Sequence, residues 1–413
     1  MSLIRPFAGL RPAPGRAADV AAPPYDVLNS SEARERAKDR PWSFLHISKP
    51  EIDLPEGTDP YDACVYAKGK ANFDKMLAEG VLVQDDQPCY YLYRLIMGEH
   101  RQIGLVAAAS VPDYDSNRIR KHEFTRPDKE DDRVRQIDSL GAQTGPVFLT
   151  YKHDATIDAL VERVTATAPE VDITADDGVQ HAIWPVCDEA DINTITDTFD
   201  AMPAIYIADG HHRSAAGSRV AAMRKAANPN HTGEEPYNYF LSVVFPDNQM
   251  MILDYNRVVT DFNGLDESAF MAKVKENFSV TEADAPVKPA ANREFGMYLS
   301  GKWYKLSVND NLVPADDPVG RLDVSLLANN LIAPILGISD PRRDKRIDFV
   351  GGIRGLKELE RRVDSGEMAV AFSLFPTHMD QLMSVADANE VMPPKSTWFE
   401  PKLADGLVSH MLD

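Results

Sequence analysis

The segment AIYIADGHHRSAAGSRVAAMRKAA, Ala204 to Ala227, reads as three elements in a row. Ala204 to Ala208 form a short apolar run bounded by turn residues, the pattern of a buried strand. Asp209-Gly210 is a turn, since glycine accepts left-handed backbone at little steric cost. From His211 onward alanine recurs, and Arg224 and Lys225 close the run, where basic side chains suit the negative end of a helix dipole. A strand passing through a tight turn into a helix implies a sheet with helices packed on it.

The flanking sequence extends this pattern. CYYLYRLIM (Cys89 to Met97) and RQIGLVAAASV (Arg101 to Val111) are β-rich and separated by Gly-Glu-His, which predicts a hairpin. PVFLTY (Pro146 to Tyr151), QHAIWPV (Gln180 to Val186), NYFLSVVF and MMILDYNRVV read as further strands, and so does FLHIS (Phe44 to Ser48). Helices are expected over Asp59 to Ala78, from about Pro127, over Ile157 to Thr167 and over Glu189 to Phe199. Together these elements give an α+β fold with mixed sheets. The expected organisation is a main α+β domain over residues 1–260 and a small α+β subdomain over 261–320, with a hairpin at Ser300-Gly301. A helix and strand segment over 321–413 should pack on the main domain.

Composition narrows the partners. The 413 residues carry 44 Lys and Arg against 64 Asp and Glu, a formal charge of −20. A field of that sign repels nucleic acid and anionic lipid, so neither is an expected partner. No run of eighteen apolar residues or signal-peptide pattern occurs. Cys64, Cys89 and Cys187 are widely spaced and form no Cys-x-x-Cys pair, which fits a reducing cytoplasm.

Chemistry concentrates at Asp209 to Arg213. Gly210 lets a ligand approach the backbone, the uncapped N–H groups and helix dipole attract phosphate, and Arg213 can bind its oxygens bidentately. Asp209 is the candidate ligand for Mg²⁺ or a proton acceptor, and His211 and His212 are candidate proton carriers. The alternative is a plain turn in which Asp209 caps the helix. A second cluster, KHEFTRPDKEDDR (Lys121 to Arg133), offers Glu123 as a general base and Lys121 and Arg133 as charges that could neutralise either the neighbouring acids or a bound phosphate. Glu130 and Asp132 there read as solvated acids of a helix start. AAPPYDV (Ala21 to Val27), with Arg5 and Arg11 nearby, reads as a packed loop, and SDPRRDKRIDFVGG (Ser339 to Gly352) as a solvated face. MPPKSTWFEPKL (Met392 to Leu403) could present Lys395, Ser396 and Thr397 to a ligand, but its aromatics favour packing. The spacings for a zinc site, a nucleophile elbow and a Walker phosphate loop are all missing.

In their order, AAPPYDV, KHEFTRPDKEDDR, DGHHR and MPPKSTWFEPKLADGL resemble the motifs of the DUF1015 family over nearly the whole chain. The DGHHR turn is also similar to the phosphate-binding turn of the ParB and sulfiredoxin-like superfamily. Sulfiredoxin chemistry needs a cysteine where this chain has His211, and the partitioning proteins need a basic DNA-binding surface. The free-serine kinase branch matches better. Its resemblance implies that Asp209 to Arg213 cradle nucleotide phosphates and that Glu123 activates a serine hydroxyl. The expected function is therefore phosphoryl transfer on a small metabolite, serine or phosphoserine first, with Mg²⁺ and ATP or ADP. A nucleotide-independent phosphatase, a non-catalytic nucleotide or metabolite sensor, and an interaction protein are the alternatives.

Overall fold

The computed structural model describes residues 2–413. The chain forms two compact units, one from the residues up to Met250 together with Pro401–Asp413, the other from Met251–Glu400. This division differs from the three consecutive segments expected with boundaries at 260 and 320. The reason lies in the tail, which pairs back into the first unit: Ala22 with Asp405, Leu10 with Ser409, and Gln143 with His410. Ser300 and Gly301 do form a hairpin turn, but its strands belong to a larger sheet.

The first unit is built on a nine-stranded mixed sheet. Ile119–Arg120, Ile205–Asp209, Val147–Tyr151, Tyr239–Pro246, His100–Ser110, Tyr90–Met97, Gln180–Val186 and Val171–Thr174 lie side by side in that order, and Ile4–Arg5 also pairs with His100–Ser110. Two neighbouring pairs are parallel, Ile205–Asp209 with Ile119–Arg120 and Val147–Tyr151 with Tyr239–Pro246. The helices Pro127–Leu140 and His211–Ala227 pack against each other. Ala215, Ala216, Val220 and Ala221 bury one side of the second helix in the same core as Ile205 and Ile207, small residues permitting close approach to the sheet.

The hairpin at residues 97–100 forms as expected, Met97 opposite His100 with Gly98 at φ 60°. FLHIS does not form a strand. Leu45–Ser48 is one helical turn, with the Ser48 N–H donating to Phe44 O at 2.9 Å. A five-residue run with three apolar positions fits either state by pattern, and here Leu45 and Ile47 fill a small helical core with Phe73 and Met76. Cys89 and Cys187 are joined in a disulfide. Far apart in sequence, they flank the paired positions Tyr90 and Val186 on adjacent strands, and the bond removes the cysteine-based ground for a reducing compartment. No helix among the described residues is long and apolar enough to cross a membrane.

The second unit is organised around a six-stranded antiparallel sheet ordered Phe278–Ala283, Lys302–Val308, Glu294–Leu299, Val370–Leu374, Tyr255–Val259, Ile347–Gly351. Ser396, expected to be available or packed, is buried, and its carbonyl accepts the Thr377 hydroxyl, so its part of the C-terminal motif is packing.

Candidate functional site

The strand Ile205–Asp209 carries an irregularity between Ile207 and Asp209, and Gly210 follows at φ 97°, ψ 29°. That left-handed step turns the chain directly into the helix His211–Ala227, and no side chain caps the helix. Asp209 therefore does not cap it. Its carboxylate accepts from Lys402 Nζ at 3.1 Å and lies 3.9 Å from Arg213 Nη2. Burial opposes its ionisation, but the positive charges of Lys402 and Arg213 prevail and hold it well below the usual carboxylate range. The side chain still keeps 35% of its surface exposed, so it is ionised and within reach of a ligand.

His211 is buried and has a fixed orientation. Its Nε2 accepts the His122 backbone N–H at 3.3 Å, and its Nδ1 faces Glu123 Oε2 at 3.7 Å. Burial, reinforced by the neighbouring His122, pushes its pKa far below the ordinary histidine value, so the ring is neutral. A neutral ring that accepts at Nε2 carries its proton on Nδ1, toward Glu123. Glu123 itself is 54% exposed. His212 Nε2 accepts the Arg126 N–H at 3.0 Å, pinning the same 121–126 loop from the next residue, and burial lowers its pKa too. The two histidines thus hold the loop carrying Glu123 against the turn.

Of the expected phosphate-binding cations, Arg213 turns inward. Its guanidinium donates to Pro146 O, is 11% exposed, and lies against Gly210, where a Cβ would sit 3.1 Å from Nε. Lys121 Nζ rests 3.9 Å above the Tyr114 ring, and burial lowers its pKa. Arg133 binds Asp132 Oδ2 through Nε and Nη2 at 3.0 and 2.6 Å and stacks on Tyr25 at 3.9 Å. Asp132, expected in solvent, is buried and also accepts the Tyr66 hydroxyl at 2.8 Å, because it faces the helix Ala63–Ala78 rather than water. Glu130 pairs with Arg219. The structure therefore gathers Asp209, Gly210, His211, His212 and Glu123 at one turn, and gives Arg213 and Arg133 to the wall of an adjoining cavity.

That cavity, about 30 Å³, is lined among others by Tyr25, Ser48, Arg133, Thr144, Arg213 and Asp405. Tyr25 comes from the loop AAPPYDV, and Lys402 and Asp405 come from the tail. Sequence reasoning missed all of these at the site. Their signal was motif membership alone, since nothing local separates Lys402 from other tail residues. Arg11, by contrast, is structural, bound to both oxygens of Asp85 at 2.8 Å and to Glu170 at 2.9 Å.

A family model described as "Protein of unknown function (DUF1015)" matches residues 4–325. The chain belongs to the DUF1015 family. Among curated proteins none matches this DUF1015 member. Solved structures similar to it include a free serine kinase in complex with AMP, at 12% identity and a TM-score of 0.35, covering 73% of this chain and 92% of that one. A conserved hypothetical protein from Pyrococcus furiosus aligns at 15% identity and a TM-score of 0.35, over 74% and 95% of the two chains. SbnI from Staphylococcus aureus aligns at 10% identity and a TM-score of 0.36, over 73% and 86%. At these scores the likenesses carry no weight for the chemistry, which rests on the residues of the DUF1015 site themselves.

Proposed function

We propose that this DUF1015 protein is a phosphoryl-transfer enzyme acting on a small metabolite, with serine the leading acceptor and ATP or ADP the donor. The observation that carries the reading is the uncapped helix start at left-handed Gly210, flanked by ionised Asp209 and by Glu123 held against neutral His211. Backbone N–H groups at such a start, reinforced by the helix dipole, bind phosphate oxygens. The net charge of −20 favours small-molecule ligands over nucleic acid. A nucleotide-using enzyme belongs in the cytoplasm, where nucleotide is supplied.

In this reading Glu123 takes the proton of the acceptor hydroxyl, whose oxygen then receives the phosphoryl group as the nucleotide departs one phosphate shorter. His211 acts as a positioning residue, because Nε2 is occupied and the Nδ1 proton faces Glu123. Among the described residues no three His, Cys, Asp or Glu side chains form a metal cluster. Magnesium bound chiefly by nucleotide phosphates and water needs only one or two protein carboxylates, so Asp209 fits as its ligand. The metal would neutralise phosphate charge there.

Incubation with ATP or ADP, Mg²⁺ and serine should yield phosphoserine by ³¹P NMR. Asp209→Asn should keep the thermal transition and lose turnover by at least about a hundredfold, the scale of losing one electrostatic group from a charge-stabilised site. Wild-type turnover in Asp209→Asn would reject the role given to Asp209. Phosphoserine hydrolysis without nucleotide would replace the kinase by a phosphatase.

A further inference from the structure

The tail segment Pro401–Gly406 brings two charged side chains to this region. Lys402 reaches Asp209, and Asp405 lines the cavity that also contains Arg213. Asp405 is 2% exposed, yet its Oδ1 has no hydrogen-bond partner, and Ser48 Oγ on the same wall has none either. A buried acceptor left unpaired destabilises the fold, and a ligand donor placed there would relieve it. The two guanidiniums of the wall are differently placed. Arg213 is engaged by Pro146 O and lies near Asp209, whereas Arg133 commits Nε and Nη2 to Asp132 and keeps the donors of Nη1. A cavity that presents an unpaired carboxylate oxygen together with guanidinium and hydroxyl donors complements one small ligand carrying both an ammonium and a carboxylate.

We propose that this cavity recognises the charged end of a small zwitterionic α-amino acid, its ammonium bound by Asp405 and its carboxylate by Arg133. This inference rests on the phosphoryl-transfer reading for its purpose, since Arg213 both lines the cavity and packs against the Gly210 turn. Binding itself needs no nucleotide. Burial pushes the Asp405 carboxyl up to about 7 against the opposing pull of Arg213 and Arg133, and a bound ammonium would favour the ionised form further. Asp405 is then a binding residue rather than a packing residue, and the PKLADG part of the C-terminal motif gains a chemical reason.

Calorimetric titration of the full chain with serine, alanine, 3-hydroxypropionate and ethanolamine tests this directly, with ADP titrated separately. Serine and alanine should bind, while 3-hydroxypropionate, lacking the amine, and ethanolamine, lacking the carboxylate, should bind at least about tenfold more weakly, as expected when a buried polar partner is left unpaired. Asp405→Asn should lose serine by a similar factor and keep ADP. If Asp405→Asn fails to fold, the four ligands on the wild-type chain still decide. Equal binding of serine and 3-hydroxypropionate, or unchanged serine binding in a folded Asp405→Asn, would overturn the proposal. ADP binding without any amino-acid binding would also overturn it and leave the nucleotide reading standing. Amino-acid binding without ADP binding would sustain the proposal and remove the phosphoryl-transfer reading.

Discussion

At Gly210 the backbone occupies φ 97°, which a Cβ strains, and that Cβ would also press on Arg213 Nε. Alanine there should cost roughly 1–2 kcal/mol and disturb the N–H groups of the first helical turn. Histidines around the same unit set its pH dependence. Burial holds His122, His181 and His410 down to about 4, and His211 lower than its ordinary value as well. Their folded pKa values lie below the unfolded 6.5, so the unfolded chain binds protons that the fold refuses. The stability is complete above pH 6.5 and is lost as pH falls toward 4. Asp405, raised to about 7, works in the opposite sense: its contribution is present in acid and is lost as pH rises from 3.8 through 7. His122, His181 and His410 should each remove about 2 kcal/mol between pH 7 and pH 5, with Asp405 cancelling about one of them and His211 acting in the same direction as the three. Urea denaturation at the two pH values should show a clear drop at pH 5. A flat or rising profile would show that these histidines are not buried neutral.

Among the elements, the tail Pro401–Asp413 has the largest structural consequence for its length. Leu403, Leu407, Val408 and Leu412 are buried, and its backbone pairs with Ala22, Leu10 and Gln143. At roughly 1.5–3 kcal/mol per large apolar side chain, removing it costs an amount comparable to the whole stability of a domain. A chain ending after Glu400 should therefore lose the cooperative near-UV CD transition of the first unit, whereas Lys402→Met should melt cooperatively. A wild-type transition in the truncated chain would refute the tail's structural role. Elements with a strong local pattern were legible beforehand: the strand, turn and helix around Gly210, the Gly98 hairpin and the helix beginning at Pro127, whereas only the family resemblance linked Glu123 to the turn. FLHIS was not, because five residues with three apolar positions do not distinguish a helical turn from a strand. Asp132 was misread because its partner Tyr66 lies in another helix, and Asp405 was missed because its neighbours Ala22, Arg133 and Arg213 are remote in sequence.

For the molecule as a whole, the second unit is inserted between Met250 and Pro401, so the first unit is completed only by the chain's last residues. This discontinuity hid the domain division, just as the strand register hid the pairing of Cys89 with Cys187. Local sequence rules carry no information on such distant closures. They did locate the Gly210 turn, whose helix start is proposed to bind phosphate. A thermal-shift titration of the full chain with ADP and ATP, with and without Mg²⁺, on wild type and Gly210→Ala probes that binding. At about 100 times Kd, nucleotide should stabilise the wild type by roughly 2.7 kcal/mol, while Gly210→Ala should melt cooperatively and lose the shift. No shift in the wild type with either nucleotide, or an equal shift in Gly210→Ala, would contradict it.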